Sequence, residues 1–570
     1  MKKRIVVLLL CLVVFVSACS GETQVQVNQA KRNVINDREK VITYAYQQPF
    51  KGVFSNVFYT GEDDANVLQF ITESVFQVNP NTLETEPYLA DWELSTDHTV
   101  LTINLKKGIK WHDGVELTIE DLIYAWYLIA DPEYPGSRFS NVSMIKGAKE
   151  YKQGRSKSIA GIRLINPYKV EVTLTEPKNN VISNIWSTPE PKHYYGDISP
   201  KDLENAKQVR QMPIGTGPYK VARIIPGESV ELVRNDEYHQ GKPGLDRIIY
   251  KIVDGTIAQG LLANGEVDLM EAPADQWESI RKLPNIDTAV MPALSYAYIG
   301  FKFGKWDSKK NKVVSSNNKF KNKKLRQAMA YALDRESYVK YLKNGLGKVL
   351  NTPMPSVSWA KIPDEQINAY EYDIDKAKAL LDEVGYIDIN GDGYREDPNG
   401  ERFVIKLDHM SGSETSTVRA QFLIQSWKKI GLLVELNGGG LKELNTFYSA
   451  VEKDDPSVEV YAGAWGLSVD PDPTGLWKSD SYWNYLRWSN KKSDELIAKG
   501  LQFPKDPNED VKEYRKEVYY EWQKLINEEL PMIFLDQYYS AWAINKRLKN
   551  VTLATYGIIT TNIWRWTIEE

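Results

Sequence analysis

Three kinds of chemistry leave a spacing signature in a sequence: a nucleophile with its base, a metal cage, and a phosphate cradle. The 570-residue chain has five histidines, His98, His112, His193, His239 and His409. No two of them stand at i, i+4 and none sits in an H-E-x-x-H run, so the pattern that seats zinc on one helix face is missing. G-x-S-x-G, G-x-x-x-x-G-K-[ST] and G-x-G-x-x-G are missing as well. The turn Gly215-Thr216-Gly217-Pro218 has neither the further glycine nor the helix start that a dinucleotide needs. Asp388, Asn390 and Asp392, followed by Gly393, match the alternate-position start of a calcium loop. Its twelfth position is Asn399 where a bidentate glutamate is required, so the favoured reading is an Asn/Asp/Gly-rich turn, with calcium as the alternative. Carboxylate pairs of the glycosidase kind are invisible among 76 acids, which keeps a secreted glycosidase as the alternative from another class. With no motif that carries a mechanism, the expectation is a binding protein rather than an enzyme, without a cofactor.

The chain opens MKKRIVVLLLCLVVFVSAC. Lys2, Lys3 and Arg4 precede an apolar run from Ile5 to Val16 and a small-residue ending, the layout of a secretory signal peptide over residues 1–18. The run is too short for a membrane span, which takes about 20 residues. Val16-Ser17-Ala18-Cys19 resembles the lipobox of bacterial lipoproteins, which implies that Cys19 is acylated, for example with palmitate, and becomes the mature N-terminus. The only other cysteine is Cys11, so no internal disulfide is available after cleavage. Residues 19–40 are polar and read as a tether. The expected location is therefore the extracytoplasmic face of the cell membrane, held by lipid. A formal charge of -5 gives no footprint for a nucleic-acid partner.

The elements that must position any site alternate between strands and helices. Val41 to Tyr46 reads as a strand, and Val67, Leu68, Ile71 and Val75 place a helix over 65–76. Leu101, Ile103 and Leu105 alternate with polar neighbours as a half-buried strand should. Thr118 with Asp121 three residues on predicts a capped helix through Ala130. A hairpin turns at Asn166-Pro167, and a buried strand at 246–254 leads into a helix ending near Gly265. Longer helices are expected over 321–341, 375–384, 419–430 and 510–528, with strands at 403–407, 432–436, 459–465 and 532–535. The mixture implies an α/β fold with more than one sheet.

Further motifs make a family visible. Glu86-Pro87-Tyr88-Leu89-Ala90-Asp91-Trp92 is followed by Lys106-Lys107-Gly108-Ile109-Lys110-Trp111-His112-Asp113-Gly114 and by Thr118 to Asp121. Pro213-Ile214-Gly215-Thr216-Gly217-Pro218-Tyr219, Asn235 to Tyr238, Gly265 to Asp268, Leu325 to Glu336, Tyr372 to Ala377, and Trp465 with Asp470 to Pro473 come in the same order. Together these resemble the family 5 extracellular solute-binding proteins, the peptide/nickel-type receptors of ABC importers, and the run GDGYREDPNGE is similar to the oligopeptide-binding branch. The resemblance implies a two-lobed periplasmic-binding-protein-like fold of the class II type, with hinge strands and an extra inserted domain. By order, one lobe takes 41–82, 208–303 and 540–570, the insertion 83–207, and the second lobe 304–539.

The resemblance also implies a monomer that captures oligopeptides between closing lobes and delivers them to permease and ATPase subunits in the membrane. A receptor for varied peptides must hold what all peptides share, the main chain and the charged ends. In the relatives an acid after a Trp-containing second-lobe strand holds the leading amine, which points to Asp470 first and Asp472 second. Trp465, Tyr296 and Tyr298 are expected either to wall the cleft or to pack in the core. Trp111 and Asp113 mark the family and are assigned to a structural corner. An oligosaccharide receptor of the same family is the alternative, with Trp465, Trp477, Trp483 and Trp488 as stacking surfaces.

Overall fold

The computed structural model describes residues 39–569 apart from 311, 317–318, 412–414 and 555–561. The expected signal segment, Cys19 and the tether through residue 38 lie outside the described residues. Among the described residues no helix is long and apolar enough to cross a membrane.

The described chain begins with β1 (Val41–Tyr46) and, after a loop, α1 (Glu62–Ile71). A separate antiparallel sheet follows, made of β2 (Ala90–Leu94), β3 (Val100–Leu105), β4 (Ile162–Asn166) and β5 (Lys169–Thr173) in the order β2-β3-β5-β4. Helix α2 (Ile119–Ala130) shares a core with that sheet, in which Leu101, Ile103, Trp126, Ile129, Val170 and Val172 are all buried. Its start follows the local chemistry: Asp121 Oδ2 accepts from the Thr118 N–H at 3.0 Å, reciprocating the N-terminal turn. The short helix α3 (Val181–Asn184) follows β5.

The chain then adds β6 (Tyr219–Ile225), β7 (Ser229–Arg234), β8 (Arg247–Ile252) and β9 (Leu269–Glu271). The 16-residue β10 (Ile286–Phe301) carries it into the second half. There α4 (Lys323–Tyr331), β11 (Gly347–Val349), α5 (Ile374–Glu383), β12 (Val404–Asp408), α6 (Ser416–Lys428), β13 (Leu433–Leu436) and β14 (Val460–Gly466) follow. Helices α7 (Lys491–Gly500) and α8 (Val511–Glu529) precede the 14-residue β15 (Met532–Asn545). One eleven-stranded sheet results, in the order β13-β12-β14-β10-β15-β9-β1-β8-β7-β6, with β11 also on β15.

Both faces of the β1 end are covered, because alternate residues of a strand point to opposite sides. Tyr44 and Leu269 belong to one apolar cluster, Ala45 and Met270 to another. A third cluster, around Trp427, Tyr461, Trp522 and Phe534, covers the β14 end. Among the described residues, only β10 and β15 run through both ends. Their pairing is regular from Ile286–Asn545 to Pro292–Tyr539, shifts register, and resumes at Tyr296–Gln537. The break is held by Gln537, fully buried, whose Nε2 donates to the Ala293 carbonyl at 3.0 Å and whose Oε1 accepts from the Ser356 N–H at 2.9 Å. A bulge at that crossing is where bending costs least pairing.

The family-marking residues build a corner between the small sheet and β6. The Gly215 N–H donates to His112 Nδ1 at 3.1 Å, so that nitrogen is the acceptor and Nε2–H donates to the Gly217 carbonyl at 3.0 Å. Burial, only partly offset by that bond to Gly217, lowers the imidazole pKa to about 4 and keeps it neutral. Both glycines press on the end of α1: a Cβ on Gly215 would lie 1.7 Å from the Ile71 carbonyl oxygen. Trp111 is buried and donates to Asp121 at 3.3 Å, and Asp113 meets His193 at 2.8 Å.

Candidate functional site

Between the two ends of the large sheet the chain leaves a cleft with two cavities. The larger, about 550 Å3, is bounded by the ends of β1 and β9 on one side and by Leu294, Ser295, Gly466 and Leu467 on the other. The smaller, about 240 Å3, continues past the same Leu294, Gly466 and Leu467 to Asp470, Asp472 and Trp477. Gly466, the last residue of β14, therefore stands at their junction.

β14 is suited to receive another strand. Along one edge it pairs with β10 over its full length, Val460–Phe301 to Gly466–Ser295. Along the other edge it meets β12 only at Val460 and Tyr461, and among the described residues no strand pairs with Ala462 to Gly466 on that side. Ala464 and Gly466 are exposed there. The Ala464 backbone bonds the Tyr448 side chain there, and an edge without a partner strand beside a cavity is a template for an extended main chain.

The parity of β10 and β14 decides which side chains face that edge. Cross-strand partners share a face, so Tyr296, Tyr298, Gly463 and Trp465 lie on one side, and Ser295, Ala297, Ala464 and Gly466 on the other. Tyr296 and Tyr298 are 1% and 0% exposed, packed edge-on to each other and to Phe534 and Tyr461. In this structure they are core and line neither cavity. Trp465 stays half-buried against Tyr485 and Trp483, with ring centroids 5.3 and 6.4 Å away. Of the four tryptophans that could stack on a sugar, Trp477 and Trp488 are buried against each other, Trp477 also lining the smaller cavity, while the half-buried Trp465 and exposed Trp483 line neither cavity.

Asp470 and Asp472 both line the smaller cavity, but neither is idle. Arg515 of α8 makes a two-pronged contact with Asp470, at 3.0 Å to Oδ2 and 2.7 Å to Oδ1. Ser183 Oγ of α3 donates to Oδ2 at 3.0 Å and the Asp472 N–H to Oδ1 at 2.9 Å. A carboxylate has about four acceptor positions; Arg515 and the Asp472 N–H take three, and the Ser183 hydroxyl has one proton to share between Oδ2 and the Asn180 carbonyl, each 3.0 Å from Oγ, so Asp470 is already charge-paired in this structure. Burial alone would lower the Arg515 pKa, but the charge of Asp470 and its hydrogen bonds hold it above the ordinary arginine value. Asp472 accepts from Asn180 Nδ2 at 3.2 Å, Thr474 N–H at 3.0 Å and Thr474 Oγ1 at 2.6 Å. Burial raises its pKa against those bonds.

Ser183 and Asn180 come from the segment inserted after β5, so the acid loop is also where that segment grips the second half of the chain. Asn179 extends the grip: its N–H and Nδ2 donate to the Leu501, Gly500 and Gln502 carbonyls at 3.1, 3.0 and 2.7 Å, capping the end of α7. The His98 ring stacks on Phe503 at 3.7 Å.

The calcium-like run folds as a self-bonded turn. Asp388 accepts from the Gly391 and Gly393 N–H groups at 2.7 and 2.9 Å, and Asn390 and Asp392 accept from Asp392 and Tyr394 N–H groups at 2.8 Å each. Buried Glu396 takes the Ile389 N–H at 2.8 Å. Among the described residues no group of three or more metal-binding side chains is gathered.

Two residues of the larger cavity carried no sequence signal. Glu62 starts α1, and Glu271 ends β9 and accepts from the Tyr538 hydroxyl of β15 at 2.6 Å. Only the topology, which lays β1, β9 and β15 side by side, brings them together.

This architecture recurs in known proteins. An oligopeptide-binding protein AppA from Bacillus subtilis is 29% identical over 538 residues, 92% of this chain and 91% of its own. The structure of the Bacillus subtilis AppA in complex with a nonapeptide superposes with a TM-score of 0.74 at 26% identity, covering 93% of this chain and all of that one. Lactococcal OppA with an endogenous peptide in the closed conformation gives a TM-score of 0.81 at 24% identity, again over 93% of this chain and all of that one. The family model described as bacterial extracellular solute-binding proteins, family 5 middle, matches residues 84–485. The fold is the two-lobed α/β fold of those structures, with β10 and β15 crossing between the lobes, and the chain belongs to the family 5 bacterial extracellular solute-binding proteins.

Proposed function

We propose that this chain is the oligopeptide receptor of an ABC importer: it takes an extended peptide along the open edge of β14, encloses it between the lobes, and performs no reaction on it. The observation that carries the reading is that strand-free edge, Ala462 to Gly466, whose last residue lines both cavities. Main-chain bonds to it are independent of side-chain identity, and roomy cavities accept varied side chains with water completing their contacts. The peptide complexes of AppA and OppA support the choice of ligand class. In this reading 41–82, 208–303 and 540–570 form one lobe, 83–207 its insertion and 304–539 the other lobe. Acylation at Cys19 keeps the receptor beside its permease and ATPase; Cys19→Ser should then abolish palmitate labelling and release the protein.

Calorimetric titration tests the ligand. A nonapeptide and its versions N-methylated at successive peptide nitrogens are compared with an oligosaccharide of similar mass. Each methyl removes one donor, so methylation at nitrogens facing β14 should weaken binding about ten-fold, roughly the 1.4 kcal/mol expected of a lost hydrogen bond. Uniform affinity across the methylated series, or heat from the oligosaccharide alone, rejects the proposal.

A further inference from the structure

The larger cavity has a definite sign of charge, and its role as a subsite rests on the peptide reading. Glu62 and Glu271 both line it, and no lysine, arginine or histidine does. Glu62 has no hydrogen-bond or ion-pair partner among the described residues. The acids beside it are engaged: Asp63 accepts from the Lys51 N–H at 3.1 Å and Asp64 from the Gly52 N–H at 2.7 Å. Glu271 receives only neutral donors, the Tyr538 hydroxyl foremost. The cations behind Tyr538 are occupied elsewhere, Lys343 by Asp536 and Arg419 by the Leu342 carbonyl at 3.3 Å. Burial raises the pKa of both carboxyls, with Asp63 adding to Glu62 and Glu62 adding to Glu271.

Two carboxylates lining an open volume that holds no counter-charge give it a negative potential, which favours entry of a cationic group. Part of the wall is small, Ala45, Ala272, Ala274, Ala293 and Ser295, and the volume of about 550 Å3 leaves room for a long side chain. Of the acids lining the smaller cavity, Asp470 is paired with Arg515, and Asp472 already accepts from Asn180 and Thr474. We propose that the larger cavity takes a protonated amine or guanidinium of the bound peptide, so that the receptor selects peptides presenting a cationic group to Glu62 and Glu271. That group is either the leading ammonium or a lysine or arginine side chain.

The test is calorimetric titration of alanine-rich nonapeptides carrying Lys at one position each, their norleucine counterparts, and N-acetylated versions of both. Proteins compared are the wild type, Glu62→Gln, and Glu62→Gln with Glu271→Gln. In the wild type, replacing Lys at one position, or acetylating the amine, should weaken binding about ten-fold or more, as loss of a charged hydrogen bond does. In the double variant the difference should shrink to about two-fold, while the acetylated norleucine peptide binds all proteins alike. Loss on Lys replacement identifies a side chain as occupant, loss on acetylation the leading amine; either supports the proposal. Glu271→Gln retains an oxygen for the Tyr538 hydroxyl, and Glu62→Gln alone, partnerless and exposed, reads the same preference should the double variant not fold. Equal wild-type affinity for every peptide, or a cation preference undiminished in both variants, overturns the proposal and leaves the peptide reading standing. If no peptide binds the wild type, both fall.

Discussion

Replacing Arg515 with Met breaks the bracket that holds the acid loop. The guanidinium and the Asp470 carboxylate are 7% and 8% exposed, and they share two hydrogen bonds of 2.7 and 3.0 Å. Removing one partner of a buried pair leaves the other charge uncompensated, at about 3–5 kcal/mol, whereas removing both leaves no stranded charge. Arg515→Met should therefore lower unfolding free energy by about 3–5 kcal/mol. Asp470→Asn combined with Arg515→Met should recover at least ~2 kcal/mol of that, because the asparagine oxygen can still accept from the Asp472 N–H while its amide NH2 donates to Ser183 Oγ, whose own proton can turn to the Asn180 carbonyl. Urea unfolding of the single and double variants, analysed as a double-mutant cycle, reads the coupling directly. The same loop lines the smaller cavity, so Asp470→Asn should weaken a free-amine peptide and its N-acetylated form alike. A destabilisation below ~1 kcal/mol, or a loss confined to the free-amine peptide, would refute this reasoning and return Asp470 to the role of amine anchor.

Two buried groups should shape the pH dependence of stability in opposite senses. Burial, against hydrogen bonds from Tyr195, Ser55 and Val57, raises Glu190 from the ordinary 4.5 to about 7, so its contribution is full below pH 4.5 and is lost as pH rises to 7. His112, lowered from 6.5 to about 4, contributes above pH 6.5 and loses it as pH falls to 4. Each amounts to about 3 kcal/mol and they nearly cancel between; Glu190→Gln should therefore expose a fall of that size between pH 7 and 4, and a flat profile in the variant contradicts it. Gln537→Leu strands the Ala293 carbonyl and the Ser356 N–H at the hinge, and should cost about 2–4 kcal/mol in urea unfolding and weaken peptide binding with it. Unchanged stability and affinity would show that the bulge is held by other contacts. Gly215→Ala drives a methyl into the Ile71 carbonyl and should give insoluble or strongly destabilised protein; a soluble variant with an unshifted unfolding midpoint would contradict that contact.

Much of the fold was legible where its cause is local. The alternation of β3 and the Thr118–Asp121 start of α2 lie within a few residues of each other, and both appear where expected. The corner role of Trp111 and Asp113 also holds. The expected helix over 65–76 instead runs from Glu62 to Ile71, because the Gly215–Gly217 turn docks on its last carbonyl and the chain leaves extended. The helix expected over 321–341 stops at Tyr331, where Asp334 caps a new turn. There Arg335 turns inward to donate to the Leu350 and Phe534 carbonyls at 2.9 and 2.7 Å. Apolar periodicity cannot register a buried arginine that acts as a hub.

The site was harder, because its parts meet only through topology. Residue type left Tyr296 and Tyr298 open between cleft and core, and because the sheet is covered on both sides they pack in the core. Asp470 was visible as an acid after a Trp strand, whereas its partner Arg515 lies 45 residues on, in α8. The crossing strands were legible only in part, since a register break at the hinge interrupts the alternation that marks a strand.

Native mass spectrometry of the purified protein, with release and sequencing of whatever co-purifies, asks the decisive question. A series of non-covalent adducts that resolves on denaturation into short peptides of varied sequence is the expected result. A glycan or a nickel chelate in their place, with no peptide recovered even after incubation with a peptide mixture, would contradict a groove built around main-chain pairing.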